Sequence, residues 1–437
     1  MVCQETGWGI YAKSPAAERD QEFPMMRSWI KNIFKKHSKK HSVNLIAKPS
    51  LEILEKRLTP TTVTSNAAGQ IIIRGTNLAD NLTLSLNNNQ LTITEANTTL
   101  TGTVFGVTAA NNTLTIDFGA NAAAKIFTGI NLDLGLASDT LNITTGLDCR
   151  NLPVNAGNAI ALTLNGGSLN ATPGGPVDSI LFEGIVASKS GNINISNFSN
   201  LINNNQNNNA ASIQAFNSSL NITNFQTNGG NQVFVGGLGA VALEATGNGK
   251  NITFDSNIQL GQTLTIRGAN TTDQVNITSL ANPALTDSFN GFGALTLSTQ
   301  GTINIQGAVT LKNTPFTVSD TDNFTAQSNV TASTISVNSN TNKSSTIISF
   351  NQNVTTTTGN FLIGNLGNNS VSGAQFIING DASTNPIAAN QNLAFNVSNN
   401  FTAGTTGGIY DLFLCGNSAT VGNNISISNK GSLTLKC

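Results

Sequence analysis

From Thr61 onward, aliphatic residues recur at every second position in short runs, and each run is broken after about ten residues by Asn, Gly, Asp or Ser. Leu82/Leu84/Leu86, Leu114/Ile116/Phe118, Leu132/Leu134/Leu136, Ile193/Ile195, Leu264/Ile266, Ile303/Ile305 and Leu433/Leu435 are examples. A period of two puts alternate side chains on opposite faces of a strand, so each run reads as a half-buried strand. No comparable helical period follows residue 60. The body must therefore fold as many short strands, which sandwiches, barrels and solenoids all permit.

Composition separates these architectures. Charged residues are only 10% of the chain, and about one residue in seven is Asn. Both Trp residues, Trp8 and Trp29, precede the body, whose large aromatics are scattered Phe and one Tyr, Tyr410. Asn tolerates the left-handed conformation of tight turns, and its amide can hydrogen-bond to an identical amide one strand spacing, about 4.8 Å, away. These features favour an all-β, elongated parallel β-helix or β-solenoid with degenerate repeats. At about 22 residues per turn the body would hold roughly fifteen turns.

The scarcity of reactive side chains limits the chemistry. Both histidines, His37 and His41, lie in the first 41 residues, so the body cannot build a Ser-His-Asp or Cys-His mechanism or a His-liganded metal centre. Polysaccharide cleavage on a β-helix needs convergent carboxylates, and within residues 61–437 Asp320 and Asp322 are the only acidic pair two residues apart. They fit a solvated turn as well as an acid–base pair. No catalytic residue is assigned. Gly75-Thr76-Asn77-Leu78-Ala79-Asp80 and Gly135-Leu136-Ala137-Ser138-Asp139 faintly resemble calcium-binding nonapeptide turns, but the tandem Gly-Gly-x-Gly-x-Asp register is missing. Asp80, Asp133 and Asp139 are expected to be turn residues accepting local backbone hydrogen bonds; no cofactor is expected, with calcium the one alternative.

Net charge of −1 hides an asymmetry: seven basic and no acidic residues lie between Arg27 and Lys48, whereas residues 61–437 carry 10 basic and 16 acidic side chains. A weakly acidic body cannot neutralise many phosphates, which argues against nucleic-acid binding. Trp29, Ile30, Ile33 and Phe34 fall on one helical face among lysines, as in a short basic amphipathic leader, helical or disordered. The leader lacks a secretory h-region, and no segment has the length and apolarity of a transmembrane helix. Residues 1–60 read as a targeting segment, with the true start at Met25 or Met26. Gly166-Gly167 and Pro173-Gly174-Gly175-Pro176 suggest dividing the body into a Leu/Asp-containing β-repeat region, 61–177, and an Asn-rich solenoid region, 178–437.

Leu51, Glu52, Leu54, Glu55, Arg57 and Pro60 stand in the order Leu-Glu-x-Leu-Glu-x-Arg-x-x-Pro. This segment resembles one found near the start of many exported or surface repeat proteins of planctomycete type. The resemblance implies export or surface display and no chemistry; an ordinary amphipathic helix ending before Pro60 is the bland alternative. The loosely repeated strands, such as Gly191-Asn192-Ile193-Asn194-Ile195 and Gly301-Thr302-Ile303-Asn304-Ile305, resemble filamentous-haemagglutinin-like β-solenoid adhesins. Cys415 and Cys437 are 22 residues apart, about one turn, so they form either a staple between neighbouring turns or two unpaired thiols.

The expected protein is a non-enzymatic, structural or adhesive solenoid at the cell surface or in the extracellular matrix. Its partners would be envelope or matrix components, including polysaccharide, and further copies of itself through exposed strand edges. The alternatives are a β-helical protein that binds or cleaves polysaccharide, and a shortened remnant of a larger adhesin.

Overall fold

The computed structural model describes residues 59–167, 178–205, 211–223, 233–237, 241–245, 250–255, 258–260, 263–268, 274–277, 289–299, 301–338, 346–364, 374–381, 388–389, 393–403, 410–416, 418–428 and 432–436. These belong to one compact unit, Leu58–Cys437. It is an elongated, nearly all-β parallel solenoid. Three long sheets, here A, B and C, contain 16, 14 and 11 strands.

Each coil of the chain contributes one strand to each sheet in the order A, B, C. The first complete coil is Gly129–Gly135, Thr140–Thr144 and Leu147–Asp148; the eleventh is Tyr410–Cys415, Ser418–Val421 and Ile425–Ile427. Leu433–Lys436 then pairs with Tyr410–Cys415 in sheet A. Strand pairing between coils is parallel throughout this stack, as between Gly129–Gly135 and Ile160–Asn165 or between Ile335–Val337 and Phe361–Ile363.

The period is longer and less regular than the expected 22 residues, and eleven complete coils replace the expected fifteen. Leu412 pairs with Leu433, 21 residues on, whereas Phe376 pairs with Leu412, 36 residues on. The physical reason lies at the corners. The three strands need only the shorter length, and the longer coil adds residues between its strands, where Gly380–Asp381 and Ala388–Ala389 pair antiparallel outside the three sheets.

Register explains the core. On sheet A, Ile71, Ile130, Leu162, Ile193, Leu220, Ile252, Val275, Ile303, Phe324, Ile348, Phe376, Leu412 and Leu433 lie in one row across the coils. All but Leu433 are buried. Alternation places one side chain inside and the next outside, and register repeats that choice coil after coil. Phe side chains then thicken the core towards the later coils: Phe350 lies 5.1 Å from Phe324, 5.8 Å from Phe361 and 5.9 Å from Phe376, centroid to centroid.

The N-terminal end of the stack departs from the expected solenoid. Thr61–Ser65 pairs antiparallel with Gln70–Thr76 and parallel with Leu100–Val104. Asn81–Asn87, Gln90–Glu95 and Thr113–Asp117 form an antiparallel meander. Asn88 and Asn89, at φ 48° and 67°, make the left-handed two-residue turn that the twist of a hairpin requires. These hairpins cap the parallel stack and close the first strand edges of sheets A and B. Five residues, Ala122–Ile126, form a short 3₁₀ turn started by the Asn121 side chain, which accepts from the Ala123 N–H.

The division expected near residue 177 falls at a segment, 168–177, outside the described residues. Strands on either side of it pair in the same sheets: Ile160–Asn165 with Ser190–Ser196, and Thr140–Thr144 with Ser179–Phe182.

Truncating Phe350 to Ala removes the centre of the aromatic cluster and should cost about 3–5 kcal/mol. In a stack coupled mainly between neighbours, that loss should first open nearby coils. Hydrogen exchange should therefore show residues 323–363 losing protection in the variant while residues 129–148 keep theirs.

Candidate functional site

The corner between sheets A and B in the first coils concentrates the unusual chemistry of the body. Asp80, Asp139 and Asp178 occupy equivalent places in successive coils, each directly before a strand of sheet B, and are at most 1% exposed. At a corner, the strand ladder is interrupted and backbone N–H groups need other acceptors. The aspartates supply them. The Asp80 N–H donates to Asp139 Oδ1 at 2.7 Å, and the Asp139 N–H donates to Asp178 Oδ1 at 2.8 Å.

The carboxyl groups of Asp139 and Asp178 thus reach back to hold the backbone of the preceding aspartate. Backbone bonds reinforce the link: the Thr140 N–H donates to the Asp80 carbonyl and the Ser179 N–H to the Asp139 carbonyl, both at 2.9 Å. At the capped end, Asp80 Oδ2 accepts the Thr76 N–H at 2.6 Å, while Asp80 Oδ1 accepts the hydroxyls of Thr61 at 2.8 Å and Thr98 at 3.2 Å. Glu95, 1% exposed, accepts the N–H groups of Asn81, Asn97 and Thr98 through Oε1.

Small residues make room for this column. A Cβ on Gly75 would lie 2.6 Å from Asp80 Oδ2, and one on Gly135, at φ +105°, would lie 1.9 Å from the Thr76 carbonyl oxygen.

The carboxyl groups are not electrostatically equivalent to free aspartates. Burial pushes Asp139 up to about 8, with the neighbouring charges of Asp178, Asp80 and Glu95 adding to the rise and the Asp80 N–H opposing it. Burial likewise pushes Asp178 up to about 7, opposed by the Asp139 N–H. Asp139 Oδ2 and Glu95 Oε2 have no hydrogen-bond partner.

Asp80 meets the turn-residue expectation, taking the Thr76 N–H four residues before it, whereas the bonds of Asp139 run to Asp80 and Asp178 in neighbouring coils instead of within its own turn. Asp133 sits elsewhere, on the outer face of sheet A, where it pairs with Arg74 at 3.1 Å and accepts from Asn165 Nδ2 at 3.2 Å. Asp133, expected in a turn, lies within the strand Gly129–Gly135. Among the described residues, no group of three or more His, Cys, Asp or Glu side chains is arranged to hold a metal ion.

Asp320 and Asp322 do not share an exposed face. Asp320 is in a left-handed turn, and Asp322 is 6% exposed, so the solvated turn expected here has one member inside the corner. Of the targeting segment, Leu51, Glu52, Leu54, Glu55 and Arg57 lie outside the described residues; Pro60 is exposed directly before Thr61–Ser65. Cys415 is buried against Ile377 on the outer face of sheet A and has Lys436 as its register partner; Cys437 lies outside the described residues.

Asn ladders provide the second set of intercoil contacts. Asn221 Nδ2 donates to Asn194 Oδ1 at 2.8 Å, Asn142 Nδ2 to Asn81 Oδ1 at 2.8 Å, and Asn353 Nδ2 to Asn329 Oδ1 at 3.1 Å. At the corner before sheet C, Asn360 Oδ1 accepts the Asn400 N–H and Asn400 Oδ1 accepts the Asn424 N–H. Each such bond contributes about 1 kcal/mol or less net, so the ladders act through their number.

Sequence reasoning missed Asp178, Glu95, Thr61 and Thr98 as members of the column. It also missed a charged patch on sheet C, where Arg150 pairs with Asp148 and donates to Gln214 Oε1, and where Glu244 and Arg267 lie 3.6 Å apart. A signal existed for the column: Asp80-Asn81-Leu82, Asp139-Thr140-Leu141 and Asp178-Ser179-Ile180 share the pattern Asp, polar, aliphatic. Their separations of 59 and 39 residues hide it from any search for a fixed period.

No family model matches the chain, and no curated protein or solved structure is significantly similar to it. The site stands on its own geometry.

Cys149 offers a test of the packing beside this region. It is 1% exposed, and burial, helped by the Asp148 charge, pushes its thiol up to about 12. An aromatic disulfide reagent at pH 8 should leave Cys149 unmodified in the folded protein and label it after denaturation, as read by peptide mass spectrometry.

Proposed function

We propose that the protein is a non-enzymatic structural or adhesive solenoid, exported to the cell surface or extracellular matrix, that binds uncharged polar surfaces through many weak contacts. The observation that carries this reading is the outward face of the coils. On sheet B, Thr310, Thr331, Thr355, Asn396 and Thr420 follow one another in register. On sheet C the corresponding row is Thr265, Thr296, Thr317 and Ser336.

These residues alternate with buried neighbours such as Val309, Leu311, Phe316 and Val318, so their hydroxyl and amide groups stand on the outer surface. A row of neutral donors and acceptors at about 4.8 Å intervals suits a partner with its own repeated hydroxyl groups, such as polysaccharide. It attracts neither phosphate nor acidic polymer. Export rests on the basic leader and the Leu51–Pro60 resemblance. Further copies of the chain are proposed as partners through exposed strands such as Ile425–Ile427, where Ile425 is 62% exposed. Among the described residues, no helix is long and apolar enough to cross a membrane.

Two measurements test this reading. Protease treatment of intact producing cells should release peptides from residues 61–437; retention until lysis would remove the surface assignment. Thr331→Lys and Thr296→Lys place charges on the outer rows, where substitutions change stability by only about 0.5 kcal/mol. Both variants should fold normally and lose retention on neutral polysaccharide or cell-wall material, and unchanged retention would sink the adhesive role of these rows.

A further inference from the structure

The Asp80–Asp139–Asp178 column has a consequence independent of the adhesive reading. It ties the N-terminal cap to the first two complete coils through side chains that carry like charge when ionised. From the cap, Thr61 and Thr98 donate to Asp80; from the coils, Asp139 and Asp178 each take the N–H of the aspartate before them. Asp139, in the middle, faces Asp80 from the preceding coil, Asp178 from the following coil and Glu95 from the end of Gln90–Glu95. The other polar groups along the column, Thr61, Thr76, Thr98 and Ser199, are neutral. Among the described residues, no cationic side chain contributes to the electrostatic environment of Asp139 or Asp178.

Two observations indicate what completes the column. Asp139 is fully buried, and its Oδ2 meets no donor. Glu95, whose charge acts on Asp139, is also buried, and its Oε2 meets none. An ionised carboxylate aligned with two others, lacking donors on one oxygen and without a cation, is a costly arrangement; a neutral carboxylic acid costs far less.

We propose that the column is a proton-operated latch, in which Asp139 and Asp178 hold protons when the cap and the first coils are stacked, and release of those protons loosens the stack at this end. Protonation leaves Oδ1 free to accept the N–H from the preceding coil while removing the repulsion along the column. The rest of the solenoid, held by aliphatic rows and Asn ladders, does not share this dependence.

The sign follows from the two folded values. Both are raised above the ordinary aspartate value of 3.8, to about 8 for Asp139 and about 7 for Asp178. The folded column therefore binds protons that the open chain has released over this interval. Its stabilising contribution is complete below about pH 4 and is lost as pH rises through 7 to 8. This is the reverse of acid denaturation by protonation of paired carboxylates.

Hydrogen exchange of the full chain from pH 5 to 8.5, scaled to the intrinsic exchange rate at each pH, tests the latch. Protection of peptides covering 76–84 and 137–143 should fall by up to about tenfold per pH unit between 5 and 7 for each retained proton, while peptides within 302–356 stay level. Asp139→Asn keeps the acceptor oxygen and removes the titration, so it should hold the protection of 76–84 at pH 8.5 and flatten its pH profile. If Asp139→Asn does not fold, Asp178→Asn should reduce the slope instead. Infrared spectra should also contain the carbonyl stretch of a protonated, buried carboxyl at pH 6, lost by pH 9. Equal protection of 76–84 and 302–356 at every pH, or no protonated-carboxyl band at pH 6, would overturn the proposal.

Discussion

Parallel in-register stacking is the constraint on which the rest of this structure depends. Once Ile130 sits over Leu162 and Leu162 over Ile193, every residue in a coil inherits the environment of its counterpart one coil away. An aliphatic row inside is therefore also a polar row outside, and a corner residue meets its equivalent at one strand spacing. Favourable repeats accumulate, as in the aliphatic rows and the Asn ladders. Unfavourable ones accumulate too, and a carboxylate repeated at one corner is the clearest example.

The molecule handles these two kinds of repetition differently. Asn carries both donor and acceptor, so Asn194–Asn221 or Asn329–Asn353 satisfy one another without net charge. Asp carries only acceptors when ionised, so a column of aspartates must draw its donors from backbone N–H groups, from threonine hydroxyls or from bound protons. Asp80 has the first two, through Thr76, Thr61 and Thr98. The raised values of Asp139 and Asp178 reflect how far burial outweighs the single backbone bond that each accepts in the column. The same corner joins antiparallel hairpins to a parallel stack, so the most titration-sensitive contacts coincide with the change of topology.

Much of the architecture was legible from local pattern. Alternation at Leu132/Leu134, Ile193/Ile195 and Ile303/Ile305 marked strands that the structure places in sheet A with those residues buried. Asn density anticipated both the ladders and the left-handed turns at Asn197, Asn217 and Asn313. The capping hairpins were signalled by the two-residue Asn88-Asn89 loop between Leu86 and Leu91, a turn type whose geometry forces an antiparallel return. Treating that region as further solenoid overlooked a local cue. The column was harder to see, because the capping hairpins set Asp80 and Asp139 59 residues apart while Asp139 and Asp178 are 39 apart.

Strand alternation and turn composition are encoded within a few residues, so the chain by itself determined that the body is all-β, that its outer positions are mostly uncharged polar residues and that its turns favour Asn. Which strands become neighbours depends on register between segments separated by 21 to 36 residues or more, with loops that carry no period. Only the tertiary structure decided that Asp80, Asp139 and Asp178 stack while Asp133 turns outward to Arg74. The reason is that the charge state of a carboxyl depends on burial and on neighbours brought from other coils, neither of which is a property of its local sequence.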